Sequence, residues 1–314
     1  MARIFVSWLS IRTISICRGP EPPSFGQKPV TLDQGYSNLT RNGIQPAFMN
    51  EFPSLWATSA EAASLRGRLR EAPQSLLMLD YDGTLAPFHI DRFEAIPYPG
   101  VEERLWTLSR LSRVRLVLVS GRSARELRDL LDPRLKTEIW GSHGREQLKC
   151  DGSYELFALD PVQQSALDRV KKEISDLGFQ ETLEVKPASV AIHWRSFRPA
   201  EQEQIRSSAR SAFGRLTQTG GLRLLPFDGG LELRSTDRTK GNAVAAMLEQ
   251  EPAGILAAYL GDDLTDEDAF VAVGGRGYSI LVRSEVRPSC AQFWLCPPEE
   301  LLKFLDDWIA GAGQ

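Results

Sequence analysis

Short apolar runs alternate with amphipathic stretches from about residue 75 to the end of the chain. The runs Leu76–Leu79 and Val114–Val119 are almost wholly apolar, which is typical of strands buried on both faces of a parallel sheet. Further strands are predicted at Glu138–Gly141, Ile255–Leu260 and Tyr278–Val282. Apolar residues at helical spacing separate these runs, over residues 101–111 and 266–273. The alternation predicts an α/β fold with a Rossmann-like core built on a parallel sheet.

Two further helices are predicted where polar signals meet an apolar stripe. Ser123 and Glu126 fit a capping box that opens a helix running through Leu131. A second helix is predicted from Lys240 to Leu248. Both helices belong to the same alternation of strands and helices as the rest of the core.

Residues 148–234 follow a different pattern. Asp160 and Pro161 fit the cap and first turn of a helix that ends near Leu177, and a second helix is predicted over Glu201–Phe213. The strands predicted here are Leu183–Lys186, Ser189–Arg195, Leu222–Leu225 and Leu231–Leu233. Apolar and polar residues alternate along the second of these strands, so that one face is apolar. This pattern predicts an antiparallel sheet backed by two helices, as an α+β domain inserted into the core.

The predicted domain organisation therefore has three parts. The core comprises residues 50–147 and 235–314, and the inserted domain comprises residues 148–234. Residues 1–49 contain a long stretch rich in Pro, Gly, Ser and Asn without periodicity, and we expect a disordered leader or a start codon assigned too early. Met49 is then a plausible true start.

Composition restricts the kinds of partner. The 314 residues include 37 basic and 41 acidic side chains, for a net charge of -4, which argues against a protein that binds nucleic acid through a basic face. The sequence has no apolar stretch of the ~18–20 residues that a membrane-spanning helix needs. The four cysteines have no metal-ligand spacing and are expected to be reduced thiols in a cytoplasmic protein. We expect no obligate protein partner.

Four carboxylates follow two of the predicted core strands. Asp80 and Asp82 come directly after the first strand, and Asp262 and Asp263 follow the strand that ends at Leu260. Either pair alone is more commonly a turn or a helix cap. Because the carboxyl ends of parallel strands share one edge of the sheet, the two pairs are expected to meet there, and a cation must offset their repulsion. Hard oxygen ligands in this number suit Mg²⁺.

Two basic or polar segments are suited to a phosphate group. Ser120, Gly121 and Arg122 lie between a strand and a capped helix, where a hydroxyl and backbone N–H groups can bind an anion. Lys240 opens a helix, where its charge opposes the helix dipole unless an anion lies nearby. The ordinary alternatives are a strand-to-helix turn and a solvated surface lysine.

The order of these motifs resembles that of the haloacid dehalogenase-like phosphatase superfamily. The shared features are the Asp-Tyr-Asp-Gly-Thr sequence at 80–84, Ser120, Lys240 and the Gly-Asp-Asp-x-x-Asp sequence at 261–266. Within the superfamily, the chain is most similar to trehalose-6-phosphate phosphatases. The narrower features are the sequences at 82–87, 141–146, 184–195, 232–234 and 265–270. The resemblance runs from about residue 75 to the C-terminus.

The resemblance implies roles for the core residues. It makes Asp80 the nucleophile that forms an aspartyl-phosphate and Asp82 the general acid and base. It places Mg²⁺ on the Asp80 carboxylate, the Asp82 backbone carbonyl and Asp262, with Asp263 close by. It assigns the remaining phosphoryl oxygens to Ser120, Gly121 and Lys240. Asp266 either orients Lys240 or only starts its helix, and His143 receives no chemical role.

The resemblance also implies that the inserted domain is a cap that closes over the core and binds trehalose 6-phosphate. The residues expected to contact this substrate are Arg122, Glu184, Lys186, His193, Arg195 and Glu232. Glu184 and Lys186 share a strand face by period two, as do His193 and Arg195. The alternative for this face is ordinary solvent exposure of a half-buried sheet.

Three other functions stay open at this point. A glycosyltransferase also uses an Asp-x-Asp pair, but this leaves the second acid pair and Lys240 unexplained. A non-catalytic phosphosugar-binding domain is disfavoured because the nucleophile and the metal acids are all present. A phosphatase for another sugar phosphate, such as sucrose phosphate or a hexose phosphate, is the nearest alternative.

Overall fold

Two sheets and eight helices make up the chain in a computed structural model that describes residues 53–55, 59–89, 92–214, 221–227 and 229–313. The strands are β1 (Ser75–Leu79), β2 (Val114–Val119), β3 (Glu138–Gly141), β4 (Glu146–Leu148), β5 (Tyr154–Leu156), β6 (Leu183–Lys186), β7 (Ser189–His193), β8 (Leu222–Phe227), β9 (Gly230–Ser235), β10 (Leu256–Gly261), β11 (Gly277–Val282) and β12 (Phe293–Leu295). The helices are α1 (Ser59–Glu71), α2 (Val101–Ser109), α3 (Ala124–Leu130), α4 (Pro161–Asp176), α5 (Pro199–Gly214), α6 (Lys240–Gln250), α7 (Glu267–Val273) and α8 (Glu299–Ala312). The predicted leader, residues 1–49, lies outside the described residues.

The larger sheet has the strand order β12-β11-β10-β1-β2-β3-β4-β5. Neighbouring strands from β12 through β3 are parallel, and only β4 and β5 are added antiparallel. The prediction of an α/β fold with a parallel core sheet is confirmed. The position of β1 in the middle of the sheet places its carboxyl end between those of β2 and β10.

Helices cover both faces of the larger sheet, which explains why β1 is apolar at every position after its first residue. Leu77 and Leu79 pack into one cluster, together with residues of α1, α2 and α8 such as Phe304. Leu76 and Met78 pack into the opposite cluster, with residues of α6 and α7. Successive strand residues point to opposite faces, so a strand covered on both sides must be apolar throughout.

The smaller sheet is fully antiparallel, in the order β6-β7-β9-β8. Its apolar face, with Val190 and Ile192 of β7, packs on α4 and α5 in a third hydrophobic cluster. The predicted strand over 189–195 ends at His193, and the N–H of Trp194 extends the pairing by one bond to the Gly229 carbonyl (2.8 Å). The domain division stays a prediction. Within the predicted inserted unit, β5 pairs with β4 of the larger sheet.

Two connections join the small sheet to the core. The first leads from β5 into α4, and the second leads from β9 into α6. Among the residues that the structure describes, no helix is both long enough and apolar enough to cross a membrane.

Candidate active site

Asp80 and Asp262 come together at the carboxyl edge of the larger sheet. The parallel pairing of β1 with β10 aligns Leu79 with Leu260, so Asp80 lies level with Gly261 and one residue before the level of Asp262. The Asp80 N–H continues the ladder by donating to the Leu260 carbonyl (2.9 Å). The carboxylates of Asp80, Asp262 and Asp266 each offer an oxygen, and these three oxygens lie within 4.8 Å of one another.

Lys240 is buried against two of these acids. Its Nζ donates to Asp80 Oδ1 (2.8 Å) and to Asp266 Oδ1 (2.7 Å), and the exposed fraction of its residue surface is 3%. The alternative of a solvated surface lysine is therefore wrong. Helix α6 begins at Lys240, with Thr239 as the capping residue in a full capping box. The cap fixes the first turn of α6 and so directs the ammonium group at the edge of the sheet.

Asp266 has its acceptor positions taken by the protein itself. Oδ1 accepts from Lys240 and from the Tyr259 hydroxyl, and Oδ2 accepts from the backbone N–H groups of Asp262 (3.2 Å) and Asp263 (3.0 Å). The carboxylate therefore orients Lys240 and holds the loop that carries Asp262, which was one of the two roles left open by the sequence. These bonds leave Asp80 and Asp262 as the carboxylates better placed to hold a metal ion.

Asp263 lies apart from this cluster. Its residue is exposed, and its side chain caps the short turn Leu264–Asp266 by accepting from the backbone N–H of Asp266. The cause is local, because the residue that caps a helical turn must direct its side chain back along the backbone. Asp263 was expected close to the metal, and this expectation stays a prediction, while the structure shows the residue in a capping position.

The acids of the cluster carry more negative charge than one lysine offsets. Burial, followed by repulsion from Asp266 and Asp263, raises the pKa of Asp262 to about 7. Burial also raises the pKa of Asp80 well above its usual value, against the attraction of Lys240. Burial disfavours the charged form of Lys240, but Asp266 and Asp80 outweigh it and hold the pKa of Lys240 above its usual value. Oxygen ligands with uncompensated negative charge suit a hard divalent cation.

Gly83 makes room for Asp262. A Cβ atom on Gly83 would lie 2.1 Å from Asp262 Oδ2, closer than any contact that the structure can accommodate without displacing the carboxylate. Gly83 also has a φ of +80°, in the left-handed region that favours glycine. The glycine of the Asp-Tyr-Asp-Gly-Thr sequence is therefore required by the close approach of the second acidic loop.

Arg122 holds the carboxylate of Asp82 by two parallel hydrogen bonds. Its Nε lies 2.7 Å from Oδ2 and its Nη2 lies 2.6 Å from Oδ1. The guanidinium lies over the Tyr81 ring and also donates to Glu126 (3.3 Å). Such a bidentate pair fixes the direction of a carboxylate as well as its charge. Arg122 was expected to contact substrate, and the structure pairs it with Asp82.

Ser120 and Gly121 lie at the end of β2, beside His143. Ser120 is fully buried, and its hydroxyl accepts from the backbone N–H of Arg122 (3.1 Å). A Cβ atom on Gly121 would lie 2.7 Å from the His143 ring, so only glycine lets the ring lie against this turn. His143 itself has a φ of +56°, an uncommon conformation for a residue with a side chain.

His143 links the core to the small sheet. Its Nε2 lies 2.7 Å from Nη1 of Arg234 on β9, and burial, followed by the charges of Arg234, Lys240 and Lys186, lowers the pKa of His143 well below its usual value. The imidazole is therefore neutral and accepts the hydrogen bond from Arg234. The sequence singled out His143 without a role and did not include Arg234 among the substrate contacts. The period-two spacing of Arg234 from Glu232 is the signal that places both on one face.

The polar face of the small sheet lies against the core. Lys186, Ser189, Glu232 and Arg234 line the same narrow space as Gly121 and His143. The burial of Ser189 is consistent with this contact. The alternative that this face is only a solvated surface is therefore wrong for this part of it.

Three of the expected sugar contacts form a connected group on this face. Glu184 accepts from His193 (Nε2 to Oε2, 2.8 Å) and pairs with Lys186 (Nζ to Oε1, 3.2 Å). Glu232 lies opposite Ala191 in the pairing of β7 with β9. Arg195 follows the end of β7 and is exposed, with its Cβ against Gly229. The structure thus brings Glu184, Lys186 and His193 together and leaves Arg195 at the rim.

The chain matches a family model described as trehalose-phosphatase over residues 78–293. It is 31% identical over 249 residues to a trehalose-phosphate phosphatase of Mycobacterium bovis (strain BCG / Pasteur 1173P2), a match that covers 75% of this chain and 61% of that protein. The chain thus spans less than two thirds of the length of this relative.

The fold of this chain is similar to the folds of solved structures. A trehalose-6-phosphate phosphatase of Aspergillus fumigatus superposes with a TM-score of 0.59 at 24% identity, covering 82% of this chain and 99% of that one. The C-terminal domain of the Candida albicans trehalose-6-phosphate phosphatase gives a TM-score of 0.62 at 21% identity, covering 83% and 99%. At these identities the likeness supports the fold alone.

Proposed function

The chain belongs to the trehalose-phosphatase family, and from this premise we propose that it releases inorganic phosphate from trehalose 6-phosphate, the last step in forming trehalose. The observation that carries the proposal is the meeting of Asp80, Asp262 and Lys240 at one sheet edge, beneath the polar face of the small sheet. The two carboxylates and the lysine can bind and transfer a phosphoryl group, and the polar face of the small sheet can bind a sugar.

A divalent cation, which we propose to be Mg²⁺, fits the donors present. Asp80 and Asp262 offer carboxylate oxygens, the raised pKa of Asp262 reflects negative charge that a cation would offset, and Gly83 keeps the carboxylate of Asp262 free of steric overlap. These two acids and the backbone carbonyl of Asp82 would hold the ion. When bound, the ion neutralises charge on the phosphoryl oxygens.

Asp80 is the proposed nucleophile. Its Oδ1 is held by Lys240, and its Oδ2 accepts from the Thr84 hydroxyl (3.3 Å), so the buried carboxylate has a fixed direction. An oxygen of Asp80 attacks phosphorus, the bond from phosphorus to the sugar oxygen breaks, and water later attacks phosphorus to regenerate the carboxylate. Lys240 and Ser120 hold phosphoryl oxygens during both steps.

Asp82 is the proposed proton donor and acceptor. It gives a proton to the leaving sugar oxygen in the first step and takes one from water in the second. Arg122 donates to both of its oxygens and so fixes the direction of the carboxylate, and one of these two bonds must open when Asp82 carries the proton that it gives. Arg122 is therefore proposed as a residue that positions Asp82 in place of the substrate contact expected from the sequence.

The small sheet is proposed to bind the sugar and to exclude water. Glu184, Lys186 and His193 provide donors and acceptors for sugar hydroxyls, and Glu232 lies on the same face. The hydrogen bond from Arg234 to His143 closes this face onto the core. The cysteines at 150, 290 and 296 are free thiols, which supports a reducing compartment such as the cytoplasm.

One assay tests the proposal and its nearest alternative together. Phosphate release is measured with trehalose 6-phosphate, sucrose 6-phosphate and glucose 6-phosphate, each with Mg²⁺ and with a chelator. The proposal predicts a kcat/KM for trehalose 6-phosphate at least about tenfold above the others, because extra buried hydrogen bonds to the correct sugar add ~1.5 kcal/mol or more. It also predicts that chelation abolishes turnover and that Mg²⁺ restores it. Equal turnover of all three sugars contradicts the substrate assignment.

A further inference from the structure

Arg145 lies where the two connections between the core and the small sheet pass each other. It follows His143 and Gly144 in the core, and its residue surface is only 2% exposed. One connection passes residues 157–160, and the other passes residues 235–239. A side chain that bonds to both connections can set the orientation of the small sheet on the core.

The guanidinium of Arg145 bonds to both connections. On the first, Nη1 donates to the carbonyls of Phe157 (3.2 Å) and Ala158 (3.1 Å). On the second, Nη2 donates to the Ser235 hydroxyl (3.2 Å) and forms an ion pair with Asp237. Four acceptors from two separate chain segments therefore share one side chain, which only the planar, multiply donating guanidinium can serve.

Arg238 reinforces the same junction. Its guanidinium lies 3.7 Å from the centre of the Phe157 ring, and its Nε donates to the Gly144 carbonyl (3.1 Å). The second connection is thereby bonded to the first and to the residue before Arg145. Within the described part of the chain, no hydrogen bond or ion pair joins this junction to Asp80 or Asp262, so its contribution to the reaction must act through the position of the small sheet.

The structure also indicates that this junction must move. Asp80 is 3% exposed and Ser120 is fully buried, beneath a face that Arg234 holds to His143. A phosphosugar can reach so buried a carboxylate only if the residues around it move, and the small sheet is the part that two connections join to the core. The Nε of Arg145 is buried without a hydrogen-bond partner among the described residues, and its ionic partner Asp237 is exposed. The closed arrangement is thus incompletely satisfied, and water can compete for Asp237.

We propose that Arg145 is a positioning residue at the hinge, which joins both connections and sets the closed orientation of the small sheet over the phosphoryl site. This inference rests on the proposed function, since it needs a substrate whose sugar contacts the small sheet. A small aryl phosphate has no such sugar and needs only the core. Loss of Arg145 should therefore reduce turnover of trehalose 6-phosphate more than turnover of the aryl phosphate. Loss of an ordinary buried arginine should affect both substrates alike.

The test compares Arg145→Met and Arg145→Lys with Arg115→Met as a matched control. Arg115 forms part-buried ion pairs with Glu138 and Glu251, and among the described residues its hydrogen bonds and ion pairs reach neither connection. For Arg145→Met we expect kcat/KM for trehalose 6-phosphate to fall by about ten- to a hundredfold, because the sugar-binding face is misplaced, while that for p-nitrophenyl phosphate stays within about twofold. Arg145→Lys, which keeps the charge towards Asp237, recovers part of the loss.

Hydrogen exchange provides a readout that does not depend on activity. In the substrate-free protein, amides of residues 157–160 and 235–239 should exchange at least about tenfold faster in Arg145→Met than in the wild type or in Arg115→Met. The hinge role is wrong if exchange is unchanged at both connections. It is also wrong if Arg145→Met and Arg115→Met each lose kcat/KM equally on the two substrates. If the wild type does not hydrolyse trehalose 6-phosphate at all, the proposed function fails, while the exchange result still decides the hinge. If Arg145→Met does not fold, Arg145→Lys carries the same comparison.

Discussion

Asp80 and Lys240 form a buried ion pair, with Nζ 2.8 Å from Oδ1, although 160 positions separate them in the chain. The pair exists because the nucleophile follows the central strand of the sheet and the lysine starts the helix by which the chain returns from the small sheet. Asp266 accepts from the same ammonium group, so the lysine is placed by two carboxylates before any phosphate arrives.

Lys240→Met should abolish most turnover and destabilise the protein. We expect kcat to fall by about a hundred- to a thousandfold, as for the loss of a group that stabilises transition-state charge. The free energy of unfolding should fall by about 3–5 kcal/mol, because two buried carboxylates lose their partner. Urea unfolding measures the second effect. Adding Asp266→Asn should restore part of the stability and none of the activity.

Lys172→Met is the control for this pair. Lys172 and Asp176 are also an ion pair, but both are exposed on α4. We expect a change of less than about 1 kcal/mol in unfolding free energy and normal turnover. If Lys172→Met lowered the free energy of unfolding as much as Lys240→Met does, burial would not be the reason for the large effect at Lys240.

Gly83→Ala should disturb the metal site, and Gly152→Ala should not. Both glycines have a φ near +80°, at +80° and +85°, so both variants bear a similar backbone cost of about 1–2 kcal/mol. Only at Gly83 does the new Cβ meet Asp262, whereas nothing lies within 4 Å of a Cβ on Gly152. Thermal shifts on Mg²⁺ titration should show weaker binding for Gly83→Ala alone, and equal binding by the two variants would contradict this explanation.

The metal-free protein should become less stable as the pH rises from about 4 to about 7. The folded pKa of Asp262 is raised to about 7, so the folded protein retains a proton that the unfolded chain loses near its ordinary pKa of ~3.9. The contribution of this proton to the free energy of unfolding is fully present below the pKa of Asp262 in the unfolded chain. It is lost as the pH rises through the pKa of Asp262 in the folded protein. Melting temperatures in a chelator should show this fall, and Mg²⁺ should stabilise the protein more at pH 8 than at pH 5.

Asp262→Asn should flatten this pH dependence. Asp132→Asn is the control, because the pKa of Asp132 is lowered to about 2 by Arg134 and does not titrate in this window. An unchanged slope in Asp262→Asn would show that other groups cause the effect.

The substitutions Glu184→Ala and Arg195→Ala should reduce turnover of the disaccharide phosphate more than turnover of a small substrate. Glu184 lies at the centre of the group with His193 and Lys186, and loss of hydrogen bonds to sugar corresponds to about a ten- to hundredfold fall in kcat/KM for trehalose 6-phosphate. The rate with p-nitrophenyl phosphate should stay within about twofold. Arg198→Ala, at an 84% exposed position of the same domain, serves as the control. Equal losses on both substrates would mean that the two residues do not bind sugar.

The sequence was sufficient for the central sheet because its local signals agree with the fold. Continuous apolar runs identified β1 and β2, and the capping residue Ser123 accepts from the Glu126 N–H as expected. The three-residue strands β4 and β5 were not predicted, since so short a segment carries no usable period and β5 is exposed at every position. Their antiparallel addition depends on pairing with β3, which is a tertiary interaction.

The site itself was less predictable where side chains compete for partners. The sequence places Asp262 and Asp263 next to each other and so suggests the same role for both. Only the structure shows that Asp263 caps a turn and that Asp266 accepts a hydrogen bond from Lys240. The ion pair from Arg122 to Asp82 likewise joins residues 40 positions apart, which no local pattern encodes. Arg145 bonds to two distant connections for the same reason.

If Asp80 receives the phosphoryl group of trehalose 6-phosphate, an aspartyl-phosphate must form at this residue, and trapping of this intermediate is the decisive measurement. Protein mixed with trehalose 6-phosphate and Mg²⁺ is quenched with borohydride, which reduces an acyl phosphate at Asp80 to homoserine, and the peptide containing residue 80 is identified by mass spectrometry. We expect homoserine at position 80 in the wild type, and neither the modification nor phosphate release in Asp80→Asn. Sustained phosphate release by Asp80→Asn, or modification at another carboxylate, would contradict it.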